Sequence, residues 1–325
     1  MKDVAEYANT SVATVSRVIN NNQYVSDNKR KEVLRAIEEL NYHLNKNAKG
    51  LRTNKTMMVG LIIPSYKDPY FMTMAHHIKL LLEKYDYDLI LLESIKNDRK
   101  HVELLVKRGV DGLMLVPHNS LDCSYLNDLV SDIPVVIIDQ LVKNYKADTV
   151  LLDDVNIVYE AIEIFVKNGH ERIGIISGPK KFYSFRERIR GYKRVLEDYQ
   201  IPLDNQLIKC CSDKSSVANG YNAVKELMEF SQPPTAILPL NYHLTRGAIL
   251  GISELQISVP EDVSFIGYDY EELTKLFNPP LSIIVEPIEK IAKKGVEILY
   301  KKMNDDINEI DDKSKLYRFK GDIII

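Results

Sequence analysis

The first forty residues carry apolar side chains at the three- and four-residue spacing of short amphipathic helices. This spacing predicts a first helix over 2–8, a second over 12–20 and a third that begins after Ser26. The segment 9–11 (Asn-Thr-Ser) is predicted to turn between the first two helices, because Asn tolerates a left-handed backbone and Ser11 can cap the second helix. The pattern therefore predicts a small all-α head.

From Met57 onward, short and nearly continuous apolar runs alternate with helix-length amphipathic segments. Runs of this kind are typical of parallel strands that are covered by helices on both faces. The predicted strands form two groups of four, at 59–63, 89–92, 112–116 and 135–138, and at 173–176, 207–210, 236–238 and 263–266. A helix over about 287–303 and a strand over about 316–323 follow. The predicted fold class is a two-lobed α/β body, made of two doubly wound parallel sheets with a cleft between them.

These patterns divide the chain into three parts. The helical head covers 1–45, a polar and basic linker covers 46–56, and the α/β body covers 57–325. Each lobe of the body is predicted to consist of two segments of the chain. They are about 57–150 and 282–312 for the first lobe, and about 151–281 and 313–325 for the second.

Charge is distributed unevenly between the head and the body. Through Lys55 there are ten Lys and Arg residues against six Asp and Glu residues, so this part carries +4 within a chain of net charge −3. The remainder carries −7. A basic head on an acidic body suits a protein that meets phosphate groups at one end only.

Several functional classes lack their sequence signatures in this chain. The cysteines are Cys123, Cys210 and Cys211, without the spacing of a zinc site or a disulfide framework, which favours a reducing compartment. We find no Walker-type phosphate loop, G-x-S-x-G or H-E-x-x-H motif, signal peptide or membrane-length apolar run. We therefore expect a cytoplasmic protein that is not an enzyme and uses no metal or other cofactor.

The second predicted helix has the composition of a DNA-reading helix. Val12, Ala13, Ser16 and Arg17 lie near its N-terminal end, where methyl groups can contact thymine and Arg17 can contact two acceptors of one guanine. Hydroxyl groups suited to phosphate oxygens are those of Thr10, Thr14 and Ser16. On this pattern alone, the head is either a helix-turn-helix domain or a generic helical cap on a larger protein.

The same residues closely resemble the headpiece of the lactose/galactose (LacI/GalR) repressor family. The motifs that carry the resemblance are Asp3-Val4-Ala5-Glu6-Tyr7-Ala8 and Ser11-Val12-Ala13-Thr14-Val15-Ser16-Arg17-Val18-Ile19-Asn20. The resemblance continues through 33–42 and extends over nearly the whole chain. The segment 47–53 looks like the hinge of that family. Asn9 and Asn41 replace the usual Gly, a mild departure because Asn also adopts the left-handed backbone.

The resemblance implies how the head binds DNA. The DNA-binding set is then Thr10, Ser11, Val12, Ala13, Thr14, Ser16, Arg17, Asn20, Leu51 and Arg52. In the family, paired hinge helices push a leucine into the minor groove, which makes Leu51 the expected wedge and Arg52 its basic neighbour. Alternatively, Leu51 packs on its own domain and the basic linker adds only non-specific attraction.

We also expect a homodimer on a pseudo-palindromic operator, since a head with one recognition helix needs a two-fold partner. The sequence ends directly after the last predicted strand, without the leucine-heptad tail of tetrameric relatives, which favours a dimer over a tetramer.

Polar and aromatic residues follow the predicted strands, where a two-lobed body binds its ligand. The candidate effector-binding residues are Ser65, Tyr70, Phe71, Asp139, Arg188, Asn241, Tyr242, Asp269 and Glu286. The family resemblance implies a ligand role for Phe71, Asp139, Arg188, Asn241 and Asp269. Five of the candidates also have a structural alternative: turn residues for Asn241 and Asp269, a surface ion pair for Arg188, and core packing for Tyr70 and Phe71.

Because of two departures from the family, the effectors of its members are not carried over to this chain. Tyr242 stands where many relatives have Asp, and Glu286 stands where many have Gln. A sugar or a sugar phosphate is expected. A phosphate group would be bound mainly by the Arg residues, and the negative charge of Glu286 would disfavour it.

The sequence thus predicts a DNA-binding transcriptional repressor of carbohydrate-related genes that is allosterically controlled by a small sugar-like effector. Effector binding is expected to change the angle between the lobes. One alternative is control by a protein corepressor, such as a phosphorylated phosphotransferase carrier. Another is a pure sugar-binding protein, against which the basic head and the missing signal peptide count.

Overall fold

A computed structural model describes residues 1–19, 24–41, 55–94, 97–117, 122–211, 215–268, 275, 277–304 and 314–325. It divides into two compact units, Met1–Thr56 and Met57–Ile325, which are called the head and the body below.

The head is built from three helices around a small apolar core. They are α1 (Lys2–Tyr7), α2 (Val12–Ile19) and α3 (Asp27–Glu39). Val4, Val15 and Val33 are fully buried where the helices meet. As predicted, Ser11 caps α2, its Oγ accepting a hydrogen bond from the Thr14 backbone N–H at 3.1 Å.

The sequence also predicts the backbone or capping role of three polar residues of the head. Asn9 and Asn41 have φ angles of 44° and 46°, so both adopt the left-handed backbone that was expected of them. Ser26 precedes α3 as expected, but its side chain makes no capping hydrogen bond. The turns of the head therefore depend on asparagine more than on the second serine cap.

The first lobe of the body contains a parallel sheet with the strand order β11-β5-β4-β3-β1-β2 in the described residues. Its strands are β1 (Met58–Ile63), β2 (Asp88–Glu93), β3 (Gly112–Leu115), β4 (Val135–Ile138), β5 (Asp148–Leu152) and β11 (Leu316–Phe319). Its helices are α4 (Pro69–Glu83), α5 (Asp98–Lys107), α6 (Leu126–Leu129) and α11 (Ile288–Asn304). Apolar clusters pack on both faces of the sheet, which explains why its central strands read as continuous apolar runs.

The second lobe contains a sheet with the order β12-β10-β9-β8-β6-β7 in the described residues. Its strands are β6 (Ile173–Ser177), β7 (Ile208–Cys210), β8 (Ala236–Pro239), β9 (Ser264–Tyr268), β10 (Ser282–Val285) and β12 (Asp322–Ile324). Only β12 runs antiparallel, against β10, among these described strands. Its helices are α7 (Asp154–Lys167), α8 (Tyr183–Asp198), α9 (Val217–Met228) and α10 (Tyr242–Glu254).

The described chain crosses between the lobes three times, after β5, after β10 and after β11. The crossings lie together: the Asp153 N–H donates to the Phe319 carbonyl at 2.8 Å, which joins the first crossing to the third. Gly321 permits a close approach at the third crossing, because a Cβ there would lie 2.6 Å from the Val285 carbonyl oxygen.

These crossings correct the predicted lobe boundaries. The segment 282–312 was assigned to the first lobe, but β10 (Ser282–Val285) pairs with β9 in the second sheet, and only α11 packs in the first lobe. The single strand predicted over 316–323 is two strands: β11 pairs with β5 in the first sheet, and β12 pairs with β10 in the second. The predicted boundary at 150/151 also falls inside β5. The physical reason is that each short strand completes the edge of a different sheet.

Candidate functional site

The N-terminal part of α2 presents a small polar and apolar surface. Ser11, Val12, Ala13 and Arg17 are exposed, while Thr10, Thr14 and Ser16 are partly exposed. The opposite face of the helix is anchored by Val15 and Val18 in the core. Small side chains beside one arginine leave a surface that can enter a DNA groove. The predicted DNA-binding residues Asn20, Leu51 and Arg52 lie outside the described residues.

A cavity of about 290 Å³ opens in the body, where elements of both lobes meet. Its lining includes every candidate effector residue within the described part of the chain: Ser65, Tyr70, Phe71, Asp139, Arg188, Asn241, Tyr242 and Glu286. Asp269 lies outside the described residues. The volume is near the lower end for small-molecule sites, which suits a compact ligand.

Arg188 is buried at the back of this cavity, with 4% of its surface exposed. Its Nε donates to Asp154 Oδ1 at 2.6 Å, and its Nη2 donates to Glu286 Oε1 at 2.7 Å. Nη1 donates to the Leu240 carbonyl, and the guanidinium lies 4.4 Å from the centroid of the Tyr268 ring. The alternative of a surface ion pair is therefore wrong for Arg188.

The partners of Arg188 lie at two of the crossings between the lobes. Asp154 is the first residue of α7, just after β5, and Glu286 directly follows β10. Arg188 itself belongs to α8 of the second lobe. One guanidinium thus ties two crossing segments together, besides lining the cavity.

Asp139 faces the same cavity from the end of β4 in the first lobe. Its backbone is left-handed, with φ 67°, a conformation that Asp tolerates better than most residues. Oδ2 accepts from Gln140 Nε2 at 3.1 Å, and Oδ1 accepts from the Tyr70 hydroxyl at 3.5 Å. Burial, reinforced by the negative charge of Asp154, raises the pKa of Asp139 to about 7, although Arg188 acts in the opposite direction.

Residues at helix starts complete the rim of the cavity. Asp68 caps α4 by accepting from the Tyr70 N–H at 3.0 Å, and Asn241 caps α10 by accepting from the Leu244 N–H at 2.9 Å. Asn241 therefore serves the local backbone as well as the cavity. His243 Nε2 lies 3.4 Å from Asp68 Oδ2, which brings the two lobes into contact at the rim.

Sequence reasoning missed several polar residues of this site, among them Gln140 and Asp154. Gln140 Oε1 accepts from the Tyr183 backbone N–H at 2.9 Å, so it joins β4 of the first lobe to α8 of the second. Asp154 was missed because β5, which positions it, was not predicted as a strand. The sequence signal for Asp154 is a strand over 148–152 followed by a helix start. That pattern places Asp154 at the carboxyl edge of the first sheet, where the ligand site is expected.

Asp139→Asn is expected to stabilise the body at high pH. Because the pKa of Asp139 rises from 3.8 to about 7 on folding, the folded state binds more protons between these values. The carboxylate therefore opposes folding increasingly as the pH rises through this range. We expect the melting temperature of Asp139→Asn to exceed that of the wild type by a few degrees at pH 8, and the difference to shrink toward pH 5. Circular dichroism melts across this range measure it.

The exposed Asp132, changed to Asn, provides the control for that experiment. Its melting temperature is expected to follow the wild type at every pH. A difference between Asp139→Asn and the wild type that stays constant from pH 5 to pH 8 contradicts the assignment of a raised pKa to Asp139.

Within the described ranges, no group of three His, Cys, Asp or Glu side chains is arranged to hold a metal ion. None of the helices there is both long enough and apolar enough to span a bilayer.

Comparisons with known proteins match the two units separately. Residues 1–45 match the family described as bacterial regulatory proteins, lacI family. Residues 56–320 match the periplasmic binding proteins and sugar binding domain of LacI family.

Individual relatives match over nearly their full lengths. The HTH-type transcriptional repressor PurR of Photobacterium profundum is 32% identical over 95% of this chain and 93% of its own. The ribose operon repressor of Haemophilus influenzae is 30% identical over 93% of this chain and 91% of its own. The fold matches a Lac repressor dimer bound to operator and the anti-inducer ONPF, with a TM-score of 0.84 and 23% identity over 99% of this chain and 96% of that one. This chain, with its helix-turn-helix head and its two-lobed body, belongs to the LacI family of bacterial regulatory proteins.

Proposed function

We propose that this protein is a transcriptional repressor whose affinity for an operator is set by a small molecule bound in the cavity of the body. The observation that carries the proposal is the exposed N-terminal face of α2. There, Val12, Ala13 and Arg17 lie outside the head's core, and their side chains can contact the groups by which base pairs differ in a major groove. Its membership of the LacI family supports the same conclusion.

The repressor acts as a homodimer in this proposal. A single recognition helix reads only one half-site, so a two-fold partner supplies the second and the operator is pseudo-palindromic. The structurally similar Lac repressor is a dimer bound to operator. Leu51 and Arg52 then supply the minor-groove contacts of the hinge, as the family resemblance implies.

The ligand of the cavity is a small polyhydroxylated molecule. Phe71 and Tyr242 offer ring faces to C–H groups, while Asp139 and Asn241 offer paired hydrogen-bonding groups to hydroxyls. The role of the cavity is therefore binding rather than catalysis, and the protein works in the cytoplasm where the operator is. Ligand binding at crossing segments such as Glu286 changes the angle between the lobes.

Selection of genomic DNA fragments on the purified protein tests the proposal. We expect enrichment of a short inverted repeat, which is then labelled and titrated by fluorescence anisotropy. Binding of the repeat is expected to be at least a thousandfold tighter than binding of shuffled DNA at the same salt concentration, about the lower limit for specific regulators. Affinity for the repeat should change when a molecule that raises the melting temperature of the protein is added.

The corresponding control is the body alone, residues 57–325, which forms a compact unit of its own. It should keep the ligand-induced rise in melting temperature and lose DNA binding. Failure of the full chain to prefer any fragment over shuffled DNA would overturn the proposed function.

A further inference from the structure

The charges around the cavity are unbalanced. Among the described residues that line it, Asp68, Asp139 and Glu286 contribute carboxylates, against the guanidinium of Arg188 and the imidazole of His243. Asp154 adds a further carboxylate directly behind Arg188. The described surroundings of a ligand are therefore acidic.

Arg188 is already occupied by protein groups. Its three kinds of N–H donate to Asp154, Glu286 and the Leu240 carbonyl, and the two carboxylate contacts are 2.6 and 2.7 Å long. A phosphate ester, which carries between one and a half and two negative charges near neutral pH, has to bind beside the two carboxylates that already neutralise this guanidinium. The cavity thus disfavours the sugar phosphate that was one of the expectations from sequence.

The carboxylates themselves lack sufficient counter-charge. Burial raises the pKa of Glu286 and of Asp154 above their usual values, and Arg188 counteracts this for both. Asp139 shows the same direction for the same main reason. The groups that face Asp139 are Tyr70, Gln140, Asp154, Arg188 and Glu286, of which only Arg188 is positive. A cation placed among these carboxylates stabilises their charged forms.

A small side chamber beside the cavity provides an independent observation. It has a volume of about 30 Å³ and is lined by Tyr70, Tyr242, Tyr268 and Glu286 among other residues. The other lining residues are Ile284, Val285 and Ile288, so Glu286 is the charged residue among the described ones that line the chamber. The chamber has room for one small group and offers it a carboxylate.

We propose that the effector carries a protonated amine, which enters the side chamber beside Glu286, and that the cavity rejects phosphorylated sugars. An ammonium group supplies three N–H donors, which suit a carboxylate. Tyr70 also lines the chamber, and an aromatic ring attracts a cation. This inference rests on the proposed function, because it names the chemical class of the ligand for the same cavity.

Matched sets of ligands test the proposal with the full-length protein. The probes are glucose, glucosamine and glucose 6-phosphate, the corresponding galactose set, and putrescine as an amine without hydroxyl groups. Melting temperature is used as the screen and isothermal titration at pH 7 measures the dissociation constants. We expect an amine to bind at least tenfold more tightly than its uncharged counterpart, and the phosphate esters to show no shift. If the amino sugars bind and putrescine does not, the hydroxyl groups of the sugar are needed for binding as well as the amine.

Variants identify the chamber as the site of the amine. Glu286→Gln should reduce the ratio between the affinity for the amine and the affinity for its uncharged counterpart by about tenfold. Glu289→Gln makes the same charge change three residues away on the exposed start of α11 and should leave this ratio unchanged. Should Glu286→Gln not fold, the ligand panel on the wild-type protein still decides the proposal, because tighter binding of an uncharged sugar overturns it.

The outcomes separate this inference from the proposed function. Tighter binding of an uncharged or phosphorylated sugar, or no binding by any amine of the panel, overturns the amine proposal. If such a sugar also changes operator affinity, the regulatory function stands without the amine. An amine that binds the chamber but never alters the affinity of the protein for its selected DNA supports the inference and counts against the proposed function.

Discussion

Replacing Arg188 with alanine is expected to lower the free energy of unfolding of the body by about 3–5 kcal/mol, because it leaves buried carboxylates without a partner. Asp154 is 3% exposed and Glu286 is only partly exposed, and both are bound by Arg188. For a unit of this size each kcal/mol corresponds to about 2–4 °C in melting temperature, so a loss of roughly 10 °C is expected. Differential scanning calorimetry of the full chain measures it.

Arg190→Ala is the matched control on the same helix. Arg190 forms an ion pair with Glu187, but 64% of its side chain is exposed, so its loss should cost no more than about 1 kcal/mol. Equal effects of the two substitutions would show that Arg188 does not hold the crossing segments. The result also matters for the interpretation of effector binding by Arg188 variants. A destabilised body binds its ligand more weakly even if the substituted residue does not contact the ligand.

Replacing Arg17 with alanine is expected to weaken operator binding by about 1–3 kcal/mol, or roughly 5- to 150-fold. Arg17 is exposed on α2, which places its guanidinium where it can donate to both acceptors of one guanine. The loss should be largest for the selected repeat and smaller for repeats altered at one base pair of each half-site. Fluorescence anisotropy with a set of single-base variants of the operator measures this pattern.

Arg35→Ala is the control with the same charge change in the head. Arg35 lies on α3 with 76% of its side chain exposed, where it pairs with Glu39 at 3.0 Å. A weaker and sequence-independent loss is expected, since removing a positive charge reduces only the general attraction to phosphates. If Arg17→Ala behaves in the same uniform way on every operator variant, Arg17 contacts phosphate and does not read a base.

The sequence predicted which residues gather around the cavity better than it predicted how they are bonded. Asp139 and Asn241 were chosen because they follow apolar runs, and parallel strands end at the same edge of a sheet. The cavity indeed includes both. The periodic signal is strong in such buried strands because no polar side chain interrupts them.

The strands at and next to one end of the sheets were less predictable for a physical reason. β5 opens with Asp148 and Thr149, and the Asp148 side chain is engaged by the Lys315 N–H and by Lys302, so polar residues interrupt the apolar run. β11 and β12 are short and close in sequence, and only pairing with different sheets separates them. Pairing depends on tertiary structure, which a local pattern does not contain.

The bonding of Arg188 also depends on tertiary structure. In sequence it stands among Arg186 and Glu187, in a charged helix start that resembles a solvent-exposed segment. Its partners Asp154 and Glu286 are 34 and 98 residues away. The fold brings the two carboxylates to Arg188. The guanidinium is therefore not a free anion-binding group, and the cavity is acidic.

The position of the three crossings sets the mechanics of the body. Segments joined side by side, such as Asp153 to Phe319, act as a pivot that resists sliding of the lobes and permits rotation. Arg188 holds two of these segments near the axis, where the lever arm is shortest. Under the proposed function, we therefore expect a ligand that displaces Glu286 by a fraction of an ångström to move the far ends of the lobes by a larger distance. The proposed ligand then acts where a small displacement is amplified, and a tight ligand need not be a large one.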